Sequence, residues 1–187
     1  MKIQLTRLGF ALITVFAVYF AWIGIQQFVM GNVHAVIPGE LYRSAQLSEP
    51  QIEALRAKYG IKSIINLRGE NKGTQWYDDE LEASRHLGIN HMDFRMKSSH
   101  VLDYQNAQAL VEMMRDAPKP LLVHCAAGAD RTGLASALYL AEIKKDEKSP
   151  ESQLSLRYGH MPFWWSQSNA MDRSFEYLEP SMGFCGS

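Results

Sequence analysis

The chemistry of this chain is concentrated in one segment, where the apolar residues Pro120–Val123 run into the sequence HCAAGADRTG at positions 124–133. The apolar residues predict a short buried strand, and the apolar stretch Leu134–Ile143 predicts a helix. A loop that leads from a strand into a helix N-terminus turns backbone N–H groups toward a bound anion. The segment therefore predicts an oxyanion cradle with the thiol of Cys125 at its floor.

The residue types in this cradle are those that phosphate chemistry requires. The planar guanidinium of Arg131 can hold two phosphate oxygens at once. The helix N-terminus and Arg131 favour the thiolate of Cys125, which attacks phosphorus and gives a phosphocysteine that water then hydrolyses. The hydroxyl of Thr132 can hydrogen-bond the sulfur as it leaves. The predicted substrate-binding residues are Ala126, Ala127, Gly128, Ala129, Asp130 and Arg131, and Cys125, Arg131 and Thr132 are predicted to be catalytic.

The pattern His-Cys-x-x-Gly-x-x-Arg-Thr-Gly resembles the signature of the cysteine-dependent protein tyrosine and dual-specificity phosphatases. Two softer upstream pieces, Gly39–Gln46 and Gly60–Arg68, are similar to the compact atypical bacterial members. The resemblance spans residues 36–145 and implies hydrolysis of phosphotyrosine or related phosphomonoesters. A catalytically inactive phosphate-binding module remains an alternative. A rhodanese-like sulfur transferase is a further one, although the Arg-Thr-Gly ending speaks against it.

The proton donor for the leaving oxygen is left open by the sequence. Asp130 ranks first, since it resembles a loop aspartate to which this role is assigned in some bacterial relatives, and it completes the predicted catalytic set. Asp103 ranks second because it is also a natural N-cap for a helix that follows it. Asp93 has the family's spacing from the cysteine, but strand alternation points it away from the apolar face. His100 is an outside candidate.

Three more residues near these motifs are expected to support the site without reacting. His124 is expected to be a hydrogen-bond partner that stabilises the loop. Arg43 and Arg68 resemble recurrent positions of the family, and we expect both to form scaffold ion pairs rather than contact the substrate.

Composition excludes several other classes of function. The net charge of −1 at pH 7 provides no bulk attraction for nucleic acid. The two cysteines, Cys125 and Cys185, cannot form a disulfide framework, and no Cys/His spacing indicates a metal site or another cofactor. We expect the partner to be a phosphorylated protein or a small phosphomonoester. Relatives that act on phosphoinositides often carry basic loop residues, which this loop lacks.

The N-terminus carries a second strong signal, the uncharged stretch Leu8–Ile25. As a helix it is about 27 Å long, close to the hydrocarbon thickness of a bilayer. Lys2 and Arg7 precede it, which places the N-terminus in the cytoplasm and the rest of the chain on the far, periplasmic side. We therefore predict a membrane anchor at residues 1–30 and a phosphatase domain at residues 31–187. A cleaved signal peptide and a buried core helix are the alternatives.

The remaining patterns predict an α/β domain with a mostly parallel central sheet flanked by helices, preceded by the transmembrane helix. The cysteine loop would then lie at the carboxyl end of a central strand, where ligands bind in such sheets. Predicted helices lie between Ser48 and Gly60, at Gln75–Leu87 and at Tyr104–Arg115, and predicted strands at Ile61–Leu67 and Ile89–Met96.

Overall fold

The computed structural model describes residues 13–22, 24–25, 30–146, 149–161, 163 and 165–182. The strands are β1 (His34–Ile37), β2 (Leu41–Ser44), β3 (Ser63–Asn66), β4 (Asn90–Asp93) and β5 (Leu121–His124). The α-helices are α1 (Glu49–Tyr59), α2 (Gln75–His86), α3 (Tyr104–Asp116), α4 (Asp130–Leu138) and α5 (Asn169–Met182). A π-helix, Tyr139–Ile143, continues α4, and short 3₁₀ helices cover Glu151–Gln153 and Leu156–Tyr158.

The five strands form one sheet in the order β1-β2-β5-β3-β4. Strand β5 is central and pairs in parallel with β2 and β3, and β3 pairs in parallel with β4. The predicted mostly parallel sheet flanked by helices is confirmed. The antiparallel edge strand β1 has no sequence signal, because its residues are only partly buried and show no clean alternation of apolar and polar side chains.

Alternating side chains of the central strands build an apolar core on each face of the sheet. Leu121 and Val123 belong to the core beneath α3, α4 and α5, whereas Leu122 belongs to the core beneath α1 and α2. Both faces of β5 are thus covered, which fixes its carboxyl end. That end carries the cysteine.

The predicted start and end of helix α1 are confirmed by the hydrogen bonds at its two termini. The N–H of Ser48 donates to Oε1 of Gln51 over 2.9 Å, and Gly60 ends α1 in the left-handed region. The helix predicted over Leu134–Ile143 differs from the prediction in two ways. It begins earlier, at Asp130, and its last turn, Tyr139–Ile143, is a π-helix. Helix α5 was not predicted and packs against α4.

Residues 13–22 are helical, and their large apolar side chains are exposed, with Phe16 61% and Trp22 50% accessible. This exposure contradicts the alternative of a buried core helix. Within the part of the chain that the structure describes, no helix has both the length and the apolar character that crossing a membrane requires. Residues 1–12, Ile23 and residues 26–29 of the predicted anchor lie outside the described residues, as does Cys185.

Candidate active site

The cysteine lies where the sequence placed it, at the end of the central strand. Cys125 directly follows β5 and is buried, with 3% of its surface accessible. The chain then forms a loop over residues 126–129 and enters α4 at Asp130. The predicted order of strand, loop and helix is confirmed.

Every carbonyl of this loop is held by a donor from another part of the chain. The N–H of Gln46 donates to Ala126 O over 3.1 Å, and Nδ2 of Asn32 donates to Ala127 O over 3.0 Å. Nη2 of Arg43 donates to both Gly128 O and Ala129 O, over 2.9 and 3.2 Å. The carbonyls therefore point away from the concave side of the loop. The amide N–H groups are left to face that side, as anion binding requires.

Several donors around the loop have no protein partner. Among the described residues, no oxygen accepts from the backbone N–H groups of residues 126–131. Nε of Arg131 and Oγ1 of Thr132 are buried and unpaired there as well, while Nη1 of Arg131 donates to Met96 O over 3.3 Å. Because buried polar groups are normally paired, this concentration of donors marks an anion-binding site.

Arg43 supports the loop from a fully buried position. Its Nη1 donates to the carbonyl and to Oε1 of Gln153 over 2.8 and 2.9 Å, and its guanidinium carbon lies 3.8 Å from the centre of the Tyr158 ring. Burial lowers the pKa of Arg43 to about 10, partly offset by Tyr158 and Cys125, so the group stays charged at neutral pH. Arg43 is a scaffold residue, but the expected ion pair is wrong, because among the described residues no carboxylate pairs with it.

Gly128 is the one loop position where the backbone requires glycine. Its φ is +70°, in the left-handed region. A Cβ at this residue would lie 2.6 Å from the Ala45 nitrogen and from the Ser44 carbonyl carbon, both of which are backbone atoms. The close approach of the loop to β2 therefore excludes any side chain.

His124 is a hydrogen-bonded support of the loop, as predicted. Its Nε2 lies 3.1 Å from Oε1 of Glu80, which is also 2.8 Å from Nε2 of His91. Glu80 is buried on α2. Burial raises the pKa of Glu80, but the charges and hydrogen bonds of the two imidazoles outweigh burial, so the net pKa lies below its usual range.

The three candidate proton donors have different surroundings. Both oxygens of Asp93 are occupied, by Nδ2 of Asn66 at 2.8 Å and by the hydroxyl of Tyr77 at 2.5 Å. Asp103 caps α3 by accepting the N–H of Asn106, which confirms the predicted cap. The backbone and side-chain hydrogen bonds from Asn106 lower the pKa of Asp103, opposite to what a proton donor near neutral pH needs.

Asp130 takes part in a chain of titratable groups that is centred on the fully buried His160 and that the sequence did not suggest. Its Oδ1 lies 2.7 Å from Nδ1 of His160, and Nε2 of His160 lies 3.0 Å from both oxygens of Asp172 on α5. Burial lowers the pKa of His160, but the two carboxylates outweigh it and the net pKa is raised. Oδ2 of Asp130 has no partner among the described residues.

Comparison with known proteins agrees with this geometry. A family model described as the tyrosine phosphatase family matches residues 25–149, which include the loop and β1 to α4. The chain belongs to the tyrosine phosphatase family. It is a phosphatase of the cysteine-dependent tyrosine and dual-specificity type, as the sequence motif indicated, which disfavours the sulfur transferase. No curated protein sequence matches the chain.

Solved structures share the fold of this phosphatase. TpbA of P. aeruginosa is 19% identical over 82% of this chain and 91% of its own, with a TM-score of 0.58. PTPMT1 is 16% identical over 81% and 98%, with a TM-score of 0.58, and the Siw14 catalytic core is 20% identical over 81% and 88%, with a TM-score of 0.56. Structures exist of a TpbA variant with phosphotyrosine and of PTPMT1 with PI(5)P.

Arg68 departs from its predicted role. Its guanidinium carbon lies 3.4 Å from the centre of the Trp76 ring, and its Nη1 donates to Oε1 of Gln46 over 3.0 Å. The expected ion pair is wrong here too, because none of the described carboxylates lies within ion-pair distance of it. His100 is exposed, and its side chain forms a hydrogen bond with its neighbour Ser99 through Nδ1 at 3.0 Å.

Sequence reasoning missed Asn32, Glu80, His160 and Asp172. For Glu80 a signal existed, because this charged residue lies on the same face of α2 as Tyr77 and Ser84, which are buried. The other three carry no local signal. His160 and Asp172 also lie beyond the residues that the family model matches.

The phosphatase should be sensitive to a side chain at position 128. Gly128→Ala should displace the loop and lower turnover of p-nitrophenyl phosphate by about 10²-fold, since misplacement of reacting groups by about 1 Å has such effects. Gly39→Ala is the matched control, because Gly39 also has positive φ (+79°) but open space around its Cβ. The control should lose about 1–2 kcal/mol of unfolding free energy and keep its activity. Equal activity of both variants would contradict the close-approach argument.

The stability of the phosphatase should depend on pH through His160. Because the pKa of His160 is raised in the folded protein, protonated His160 stabilises the fold fully below the pKa of an unfolded histidine, about 6.5. This stabilisation is lost as the pH rises through the pKa of His160 in the folded protein. Urea unfolding between pH 6.5 and 9 should therefore show a falling free energy of unfolding, with a shallower slope in His160→Asn and an unchanged slope in the exposed control His86→Asn. His34 does not contribute there, because burial, Arg43 and Arg157 lower its pKa to about 4. An unchanged slope in His160→Asn would contradict this assignment.

Proposed function

We propose that this protein is a membrane-anchored phosphatase that hydrolyses phosphate monoesters through a phosphocysteine intermediate. The observation that carries the proposal is the loop over residues 126–129, in which all carbonyls are held outward around the buried Cys125. Such a loop presents a ring of N–H donors to three phosphate oxygens at once. The same ring serves the attacking and the hydrolytic step, because both transition states place negative charge on these oxygens.

In the first step, Sγ of Cys125 attacks phosphorus, an S–P bond forms and the P–O bond to the leaving group breaks. Arg131 and the loop amides stabilise the charge on the non-bridging oxygens. In the second step, water attacks the phosphocysteine, the S–P bond breaks, and inorganic phosphate leaves. The Thr132 hydroxyl, which is buried and unpaired among the described residues, donates to the departing sulfur.

Asp130 is the proton donor that the geometry supports best among the three candidate aspartates. Asp93 and Asp103 use both carboxylate oxygens in hydrogen bonds, whereas among the described residues only Oδ1 of Asp130 has a partner. Asp130 directly follows the loop, at the start of α4 and next to Arg131. Oδ2 gives its proton to the leaving oxygen in the first step and takes one from water in the second.

The substrate class that we propose is a phosphotyrosine or dual-specificity phosphomonoester. The complexes of structural neighbours with phosphotyrosine and with PI(5)P support a monoester ligand. The alanines at positions 126, 127 and 129 provide no positive charge within the loop for additional phosphates. A phosphorylated protein or a small phosphomonoester therefore fits better than a polyphosphorylated ligand.

We propose residues 1–30 as the membrane anchor and residues 31–187 as the catalytic domain, on the extracytoplasmic side. The exposed apolar helix at residues 13–22 supports the anchor, because exposed apolar side chains in this number need an apolar environment. The domain must start before Asn32, since this residue holds the loop through Ala127. Protease added to spheroplasts should digest the domain, because their inner membrane is intact but its outer face is accessible. Digestion only after the inner membrane is lysed would contradict the proposed location.

Turnover by the full chain in detergent tests the proposed mechanism. Cys125→Ser should lower hydrolysis of p-nitrophenyl phosphate by at least about 10³-fold, and Arg131→Lys by about 10²-fold, because lysine lacks the planar fork. Tungstate binding without turnover by the unaltered protein would instead indicate a phosphate-binding module.

The proton donor can be tested with two leaving groups. Asp130→Asn should lower kcat by about 10²-fold or more for phenyl phosphate, remove the basic limb of its pH profile, and affect p-nitrophenyl phosphate less. The reason is that p-nitrophenolate leaves without a proton. Asp103→Asn is the control and should lose about 1 kcal/mol of stability with an unchanged profile. Equal losses for both substrates would argue against proton donation by Asp130.

A further inference from the structure

Arg68 comes two residues after the end of β3, next to the strand that leads to the nucleophile. The last residue of β3, Asn66, is in register with His124 of β5. The N–H of Leu67 donates to His124 O over 2.9 Å. The chain at Arg68 therefore runs along the start of the cysteine loop.

Two side chains hold the guanidinium of Arg68 in one orientation. Trp76 stacks on it at 3.4 Å, and Gln46 accepts from Nη1. Gln46 is itself fixed, since its N–H donates to Ala126 O and its Nε2 to Glu80 Oε2 at 2.5 Å. A planar group held by a ring and by an anchored amide keeps little rotational freedom, so its remaining donors are pre-organised.

The charge of Arg68 is not neutralised by the protein. Among the described residues no carboxylate pairs with it, and Nη1 to Gln46 is its only side-chain hydrogen bond. Partial burial and then Arg131 lower the pKa of Arg68, whereas Cys125 and Glu80 raise it. Arg68 and Arg131 thus repel each other next to one thiol. An anion between them would remove this repulsion.

The surroundings of Arg68 leave room for a ligand. The side chains of Ala126 and Ala127 are methyl groups at exposed positions. Gln46 and Trp76 also line a groove of about 680 Å³, together with residues 47–51, Gln75 and Asp79. The two side chains that hold Arg68 therefore also border open space.

We propose that Arg68 is a substrate-binding residue, whose guanidinium contacts the phosphate of the bound monoester, and that Trp76 and Gln46 are positioning residues for it. This inference rests on the proposed function and extends the binding site from the loop to the segment that follows β3. From that segment Arg68 supplies a positive charge that the alanine-rich loop does not carry. The contact exists in the bound ground state as well as in the transition state, so it acts mainly on affinity.

The test compares Arg68→Met with Arg56→Met in the full chain. Arg56 is an exposed arginine on α1 and serves as the matched control. Arg68→Met should raise KM for p-nitrophenyl phosphate and Kd for tungstate about 10-fold each, with kcat within about 2-fold, as expected for the loss of one charge-assisted contact. Arg56→Met should change neither value. Arg68→Lys should lie between, because it retains charge but not the stacked fork.

A role in binding also predicts how salt and Trp76 act. KM of the unaltered protein should rise with ionic strength more steeply than KM of Arg68→Met, which has lost one cation at the site. Trp76→Leu should raise KM of the otherwise unaltered protein. It should not raise KM further in Arg68→Met, because Trp76 acts through Arg68. A merely structural role would move thermal stability and kcat without this coupling.

Three results would overturn the inference. The first is a KM and a tungstate Kd of Arg68→Met equal to those of the active, unaltered protein. The second is an additive effect of Trp76→Leu and Arg68→Met on KM. The third is an unaltered protein that neither turns over p-nitrophenyl phosphate nor binds tungstate, which would overturn the proposed function as well. The first two leave the proposed function intact.

Discussion

The outward orientation of the loop carbonyls is the constraint on which the site depends. A peptide group presents its N–H and its C=O on opposite sides, so occupying the carbonyls from outside leaves the N–H groups for a ligand. The donors are Asn32 before β1, and Arg43 and Gln46 on and after β2. Arg43 remains charged although it is fully buried, because carbonyl oxygens surround its fork. Its positive charge also favours an anion on the other side of the loop.

Two chains of titratable groups, each with a buried central residue, hold the ends of this loop. Glu80 binds the imidazoles of His91 and His124 and thus connects the end of β5 to α2. His160 connects Asp130, at the start of α4, to Asp172 on α5. The nucleophile is therefore fixed from helices on both faces of the sheet. Such fixation keeps donors in place before substrate binds, which is the condition for electrostatic stabilisation of a transition state.

The positive charge of the site comes from three separate elements rather than from the loop. Arg43 comes from β2, Arg68 follows β3, and Arg131 lies in the first turn of α4. The roles differ with burial and partners: both terminal nitrogens of the fully buried Arg43 bind protein oxygens, whereas the partly buried Arg68 and Arg131 each retain donors that are unpaired among the described residues. Alanines in the loop are compatible with phosphate binding, because the cations that attract phosphate are placed around the loop by the sheet.

Features that depend on neighbours along the chain could be predicted from the amino-acid sequence alone. Hydrogen-bonding residue types and apolar periodicity within short segments predict the strand, cysteine loop and helix, the caps at Ser48, Gly60 and Asp103, and the mostly parallel sheet. The partners that bind the loop, in contrast, depend on the tertiary fold. Asn32 and Ala127 lie 95 residues apart, and Arg43 and Gly128 lie 85 apart. The two arginines were expected to bind carboxylates, but Arg43 binds carbonyls and Arg68 a ring and an amide. Partners so distant in sequence are chosen by packing of the sheet and its helices, which no local pattern encodes.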